Sequence, residues 1–444
     1  MKSKYLLIII IVLAAVLRFY NLGLGDLNTD EAKTALGVDF PHSFVLPGIS
    51  VASQNLFGAS ETAARLPFAA IGVLGVFLFY FLGKEIKDKN FGLIMAALAM
   101  ILPGSIIFSR SAYLDVPLVV SWILILFFWI KCEREESALN IFLLFLALLV
   151  SPWMKIQAVY LFVVLFICLF INTRGLVWRD KKFFLLPLAF IPFCLYFLSE
   201  PQQIYDMKRY VNDFVGLKGL EAMLNNLWNS YGILFFGAMT GIFLAIKKNR
   251  DMKNNINYLM FIFFIVIILA FIFTSKSFYS YIMLDIPLVY FCALLFEKIK
   301  ENKFAKNIFY AMVILNSIII LFYFNNFTFN PCIQNPLLCR WQENAVDINE
   351  KIAEISEPRL VYLEPYQGFT DKWYIKYETK KLDQLLSNKD IINNTNIIAI
   401  IGGEEAVEKR REFSALFSDD FSVYGVNNKV GEETILIFTH QINE

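Results

Sequence analysis

Long apolar runs separated by short charged segments fill the chain from its first residues to about residue 325. A membrane span needs about 20 mostly apolar residues to cross roughly 30 Å of hydrocarbon, and about eleven stretches qualify. They lie near residues 5–22, 62–83, 91–108, 112–130, 139–152, 156–171, 183–199, 227–246, 256–274, 279–297 and 305–325. Lys2 and Lys4 ahead of the first run also suit a signal peptide. No small-x-small cleavage site follows, however, and Arg18-Phe19-Tyr20 reads as an interfacial collar, so a retained span is expected.

Beyond residue 325 the pattern changes. Trp341, Ala345, Ile348, Ile352 and Ile355 recur at helical spacing, whereas 360–363, 397–401, 421–425 and 434–438 read as short strands. The expected organisation is therefore a mainly α, polytopic membrane domain over residues 1–325 and a small α/β domain over 326–444. Gly402-Gly403 leads into Glu404-Glu405, and two acids there would repel an anion, so a plain tight turn is expected rather than a phosphate loop.

Composition agrees with the membrane reading: 57% of the 444 residues are hydrophobic and only 18% are charged. A net charge of +1 gives no basis for nucleic-acid binding. Lys and Arg crowd alternate loops, as in Lys84, Lys87, Lys89, Lys131, Arg134, Arg179, Lys181, Lys182, Lys247, Lys248, Lys298 and Lys300. Because basic loops stay on the cytoplasmic side, the N-terminus is expected inside. The loops 23–61 and 200–226 and the C-terminal domain are then extracytoplasmic. Cys332 and Cys339 bracket Pro336 on that outer side, where a local disulfide and two free thiols are both open readings; Asn326-Phe-Thr328 and Asn393-Asn-Thr395 match the glycosylation acceptor pattern.

Candidate chemistry gathers at the outer ends of the spans. Asp26, Asp30 and Glu31 follow the first span, Arg110 and Asp115 flank a later turn, and Lys155 and Lys276 lie at further outward turns. Arg110 and Lys276 also fit as interfacial anchors, and Asp115 as the cap of a helix opened by Asp115-Val-Pro117. Lys155 is the most constrained. Residues 139–171 must cross the membrane twice and turn, and two full spans need about 40 residues, so the tip bearing Pro152, Trp153 and Lys155 should stop short of the outer surface. An ammonium at that depth marks a site, with an anionic lipid headgroup such as a phosphate as natural partner.

Arg18, the Asp30-Glu31-Ala32 loop and Ala64-Arg65-Leu66-Pro67 at the second span follow one another in an order that resembles the polyprenyl-phosphate-dependent GT-C glycosyltransferases. The protein O-mannosyltransferases and the aminoarabinose transferases that modify lipid A are the nearest groups. Ser109-Arg110-Ser-Ala-Tyr-Leu-Asp115-Val-Pro117, Lys155, and Lys276-Ser-Phe-Tyr-Ser-Tyr281 with Pro287 resemble further segments of these families, over roughly residues 1–300. The resemblance implies a GT-C fold and transfer of one sugar, with inversion, from a polyprenyl-phosphate donor to a protein, lipid or glycan acceptor. It implies Asp30, beside Glu31, as the catalytic carboxylate, and Arg110, Asp115, Lys155, Lys276 and Tyr281 as substrate-binding residues.

Two departures limit the transfer of roles: the first loop reads Asp39-Phe-Pro-His42-Ser-Phe-Val-Leu-Pro47-Gly48, and no outward loop before residue 325 has room for a lectin-like insert. Asp30, Glu31, His42 and Asp115 are the residues for a divalent metal, yet no zinc or calcium ligand spacing occurs, so a reaction without metal or other cofactor is expected. The rival class is a transporter or flippase using Asp115 and Lys155 as intramembrane counter-ions, but such folds show internal repeats and none is visible here. A non-catalytic scaffold whose outward domain binds a partner is the third reading.

Overall fold

The computed structural model describes residues 2–24, 27–37, 45–199, 227, 230–248, 255–274 and 278–324, together with five strands between 360 and 440. The chain divides into two compact units. One comprises Met1–Leu22 and Asp39–Tyr323, the other Gly23–Val38 and Phe324–Glu444.

The first unit is helical. Its helices are α1 (Lys2–Phe19), α3 (Val45–Phe57), α4 (Glu61–Ile86), α5 (Lys89–Met100), α6 (Pro103–Ser109), α7 (Asp115–Arg134), α8 (Ala138–Met154), α9 (Val159–Asn172), α10 (Lys182–Ser199), α11 (Leu234–Lys248), α12 (Asn255–Thr274), α13 (Asp285–Ile299) and α14 (Lys303–Phe324). Short polar residues between the apolar runs start several of them. Ser60 accepts from the Ala63 N–H at 3.2 Å, Asp88 from Asn90 and Phe91 at 2.8 and 2.9 Å, and Ser137 from Asn140 at 3.2 Å. Each such cap satisfies donors that the first helical turn leaves open.

α4 lies at the centre, packed on α1, α3, α5 and α7. Its Gly83 approaches α5 so closely that an added Cβ would stand 2.8 Å from the Gly92 Cα, so only glycine permits this crossing. Trp122 and Phe263 pack edge-on at 5.4 Å between α7 and α12. Leu6, Ile9, Leu13 and Val16 of α1 and Phe142 and Val150 of α8 are exposed, the arrangement of helices that turn apolar faces to lipid.

Two expected spans differ from the simple pattern. The run near 91–108 is a bent pair, α5 and α6, at 65°. Pro103 opens α6 and has no N–H to continue α5. The run near 279–297 begins as a 3-10 helix, Phe278–Leu284, and becomes α-helical only at Asp285. Among the described residues, α4 and α7 are long and apolar enough to cross a membrane singly, the bent pair makes a third, and α8, α9, α10, α11 and α12 are shorter apolar helices.

The second unit contains α2 (Thr29–Ala35) and strands β1 (Leu360–Glu364), β2 (Thr379–Lys381), β3 (Ile397–Gly402), β4 (Phe421–Asn427) and β5 (Glu433–His440). The sheet order is β2-β1-β3-β5-β4. β1 is parallel to β2 and β3, and β5 is antiparallel to β3 and β4. Strands thus stand at the four stretches the alternating pattern marks, while the helix expected over 341–355 and the Cys332–Cys339 segment lie outside the described residues.

Candidate functional site

The acidic pair opens α2, and its two members are placed differently. Asn28 caps the helix, accepting at its Oδ1 from the Asp30 and Glu31 N–H groups at 3.0 and 3.1 Å. Glu31 reaches back, and its Oε2 accepts from the Asn28 backbone N–H at 3.2 Å and from Asn28 Nδ2 at 2.9 Å. This reciprocal capping box gives the Glu31 carboxylate a structural task and buries it, with 2% of the residue exposed. The Asp30 side chain remains 40% exposed, with Lys33 Nζ 3.9 Å away. Asn28-Thr-Asp-Glu31 carries the box in the sequence, a signal that the sequence reading passed over.

In the helical unit Lys155 is buried. α8 has 17 residues and α9 has 14, lengths of about 25 and 21 Å against roughly 30 Å of hydrocarbon. Between them Lys155 breaks the helix in extended conformation (φ −166°, ψ 140°) ahead of a 3-10 turn, Ile156–Ala158. Its Nζ lies 2.7 Å from Asp115 Oδ2, and the two side chains are 5% and 1% exposed. Asp115 stands first in α7, after Leu114, and the helix start has no side-chain cap; its carboxylate goes to the lysine instead. Ser121 and Ser151 join the same two helices at 3.0 Å. Phe68, Ala112 and Leu114 form an apolar cluster with Leu46, against which Met154, the residue before Lys155, packs. Water is thereby kept from a charge pair whose attraction grows as its surroundings dry.

Arg110 is not an exposed anchor. Its guanidinium donates to the carbonyls of Leu17 (3.3 Å), Tyr20 and Asn21 (3.0 Å), while Arg65 donates to Leu22 O at 3.3 Å. These are carbonyls at and just beyond the C-terminal end of α1, which a helix leaves open and which favour cations. Burial, with the like charge of Arg65 second, lowers the Arg110 pKa to about 10, so it stays protonated at neutral pH. Tyr281 is buried, and its carbonyl accepts from the Tyr231 hydroxyl. Lys276, Asp26 and His42 lie outside the described residues.

One buried charged group was misread from sequence. Arg18, taken as part of an interfacial collar, is fully buried and faces Asp285 at the start of α13. A single basic residue at the end of an apolar run looks the same in sequence whether it reaches for the interface or for an acid on another helix. Among the described residues no three His, Cys, Asp or Glu side chains group as metal ligands.

With this geometry in view, comparisons with known proteins show what the chain is similar to. Residues 41–198 match the family model described as dolichyl-phosphate-mannose-protein mannosyltransferase. No curated protein matches the chain by sequence. In structure the chain is similar to ArnT from Cupriavidus metallidurans bound to undecaprenyl phosphate (TM-score 0.68, 13% identity, 97% of each chain). It is also similar to an Archaeoglobus fulgidus oligosaccharyltransferase in complex with zinc and sulfate (TM-score 0.57, 12% identity, 96% of this chain and 72% of that one). A third, archaeal AglB from the same organism in complex with an inhibitory peptide and a dolichol-phosphate, matches at TM-score 0.52 and 12% identity, over 100% of this chain and 74% of that one. The resemblance to the GT-C glycosyltransferases drawn from the sequence is borne out: residues 41–198 match the mannosyltransferase family model, and the fold is shared with ArnT and the oligosaccharyltransferase.

Proposed function

We propose that the chain is a membrane glycosyltransferase that takes one sugar from a polyprenyl-phosphate carrier and transfers it to a protein, lipid or glycan acceptor on the extracytoplasmic side. The observation that carries this reading is the Asp115–Lys155 pair, an ammonium held in an apolar recess at 2.7 Å from its carboxylate, within the stretch that matches the mannosyltransferase family model. The similarity of fold to an enzyme solved with undecaprenyl phosphate supports the donor class. In this reading about eleven spans cross the membrane, with the N-terminus cytoplasmic and an α/β domain outside.

The roles follow from the side chains. Asp30, whose carboxylate stays outside the capping box, takes the proton of the acceptor hydroxyl as its oxygen attacks the anomeric carbon. The bond from that carbon to the donor phosphate oxygen breaks, its electron pair leaves on the phosphate, and displacement from the opposite face inverts the centre. Lys155 stabilises the negative charge growing on the phosphate, with Asp115 holding the ammonium in place. Lys276 and Tyr281 are assigned to the donor as well; Arg110 serves it by holding the end of α1, and Glu31 serves Asp30 by capping α2.

The test is product analysis by mass spectrometry after incubating the purified full chain with dolichyl-phosphate mannose and undecaprenyl-phosphate aminoarabinose. Release of the free polyprenyl phosphate together with a glycosylated acceptor is expected. Movement of the carrier across vesicles without donor consumption would instead establish a flippase.

A further inference from the structure

A six-residue pattern occurs twice in the chain, and the sequence reading, which saw no repeat, missed it. Leu114-Asp-Val-Pro-Leu-Val119 opens α7, and Leu284-Asp-Ile-Pro-Leu-Val289 opens α13. The likeness extends to structure. In each copy the leucine before the helix is αR (φ −73°, ψ −13° and φ −81°, ψ −8°), the aspartate is the first helical residue, and that aspartate is buried. In each copy a basic residue from elsewhere in the chain lies near the carboxylate: Lys155, in the break after α8, for Asp115, and Arg18 of α1 for Asp285.

The two sites differ in how the charges meet. Lys155 touches Asp115 directly, but Ser105 stands between Arg18 and Asp285: Arg18 Nη2 donates to Ser105 Oγ at 3.4 Å, and Ser105 is in turn bonded to the carboxylate. The Tyr231 hydroxyl also lies against Asp285. Arg18 Nε and Asp285 Oδ1 are left without hydrogen-bond partners among the described residues. Leaving two charged groups so placed costs several kcal/mol of lost solvation. A cavity of about 20 Å³ adjoins them, lined by Gly72, Ser105, Val116, Val120, Ile282 and Asp285. Arg18 Nε lies against Gly72, 3.0 Å from where a Cβ would stand. The space suffices for one water; Ser105 and Asp285 are the polar side chains of its wall, and Arg18 Nε lies beside Gly72, which also lines it.

We propose that Arg18 and Asp285 form a water-bridged charge pair that fastens the outer end of α1 to the start of α13, and that both are positioning residues for sugar transfer. α1 is the helix from which the chain runs on to Asp30, and its last carbonyls are held by Arg110 and Arg65.

The kinetic part rests on the function proposed above; the pair itself does not. The experiment takes the full chain in detergent as wild type, Arg18→Leu, Asp285→Leu and the double variant. It reads Tm, donor turnover with dolichyl-phosphate mannose and undecaprenyl-phosphate aminoarabinose, and a cryo-EM map fine enough to show water. Each single variant should lower Tm, and the double should recover most of the loss, because removing both buried charges relieves what removing one creates. Water density should bridge Arg18 Nε and Asp285 Oδ1. In Arg18→Lys, which keeps the charge, and in the double variant, kcat should fall about 10²-fold or less, with donor KM within about twofold of wild type. Additive Tm losses, or a cavity empty of water, would overturn the pair. Unchanged kcat in variants that show the Tm coupling would overturn the positioning role. A wild type that turns over neither donor counts against the proposed function alone, and the pair is then decided by Tm and the map.

Discussion

Replacing the two acids of α2 one at a time separates chemistry from capping. Glu31 Oε2 accepts two hydrogen bonds from Asn28, and hydrogen bonds to a charged group contribute about 1.5–3 kcal/mol each when buried. A helix cap as a whole is worth about 0.5–2 kcal/mol, which bounds the cost of Glu31→Ala because water replaces part of what is lost. With 1.4 kcal/mol per tenfold, amide exchange at Asp30 and Glu31, whose N–H groups bond to Asn28, should speed up by about 2–30-fold in that variant. Glu31→Gln keeps an acceptor in place and should retain most of the turnover. Asp30 makes no capping bond with its side chain, so Asp30→Asn should leave exchange in residues 28–35 unchanged. Loss of a general base should still lower kcat by about 10²–10⁴-fold, or about 3–5 kcal/mol of barrier. Hydrogen exchange with mass spectrometry and single-turnover kinetics read the two quantities. Turnover by Asp30→Asn within a few-fold of wild type, or equal losses in Asp30→Asn and Glu31→Gln, would refute the division of roles.

Three further outcomes are expected. Lys155→Met and Asp115→Leu should each cost about 3–5 kcal/mol by leaving one buried charge alone, while the double variant should unfold near the wild-type temperature yet fail to bind a polyprenyl-phosphate donor; a thermal-shift cycle with donor titration checks this. Gly83→Leu should prevent α4 and α5 from approaching and abolish folded protein in size-exclusion chromatography, whereas Ser121→Ala, which loses one neutral bond to Ser151, should cost only about 1 kcal/mol. Arg110→Lys should weaken the hold on α1, since an ammonium cannot span the carbonyls of Leu17, Tyr20 and Asn21 as a guanidinium does; faster proteolysis near residue 22 is the readout.

Helices here were legible because long apolar runs, opened by Ser60, Asp88 or Ser137, leave the backbone no other way to satisfy itself in lipid. The expectation of a recessed Lys155 rests on length alone, since 33 residues between 139 and 171 cannot cross twice and turn at full height, and the lysine is buried. Strands in the C-terminal stretch were readable for the same local reason, as short runs of β-branched, apolar and aromatic residues mark them in neighbouring positions. What could not be read was the pairing of charges. Asp115 looked like a helix cap or a site residue and is the partner of Lys155, 40 positions away. Arg110 looked like an anchor or a donor ligand and holds the end of a helix some 90 positions earlier. Arg18 looked interfacial and is buried opposite Asp285.

Sequence by itself therefore determined the apolar helices, the broken hairpin and the acidic segment, because each depends on residues within a turn or two of one another. Only the tertiary structure decided which acid each base meets, whereas the tie of Glu31 into the backbone is written locally in Asn28-Thr-Asp-Glu31. A charge inside an apolar unit is stabilised by whatever the packing brings to it, and packing joins residues that the chain keeps far apart.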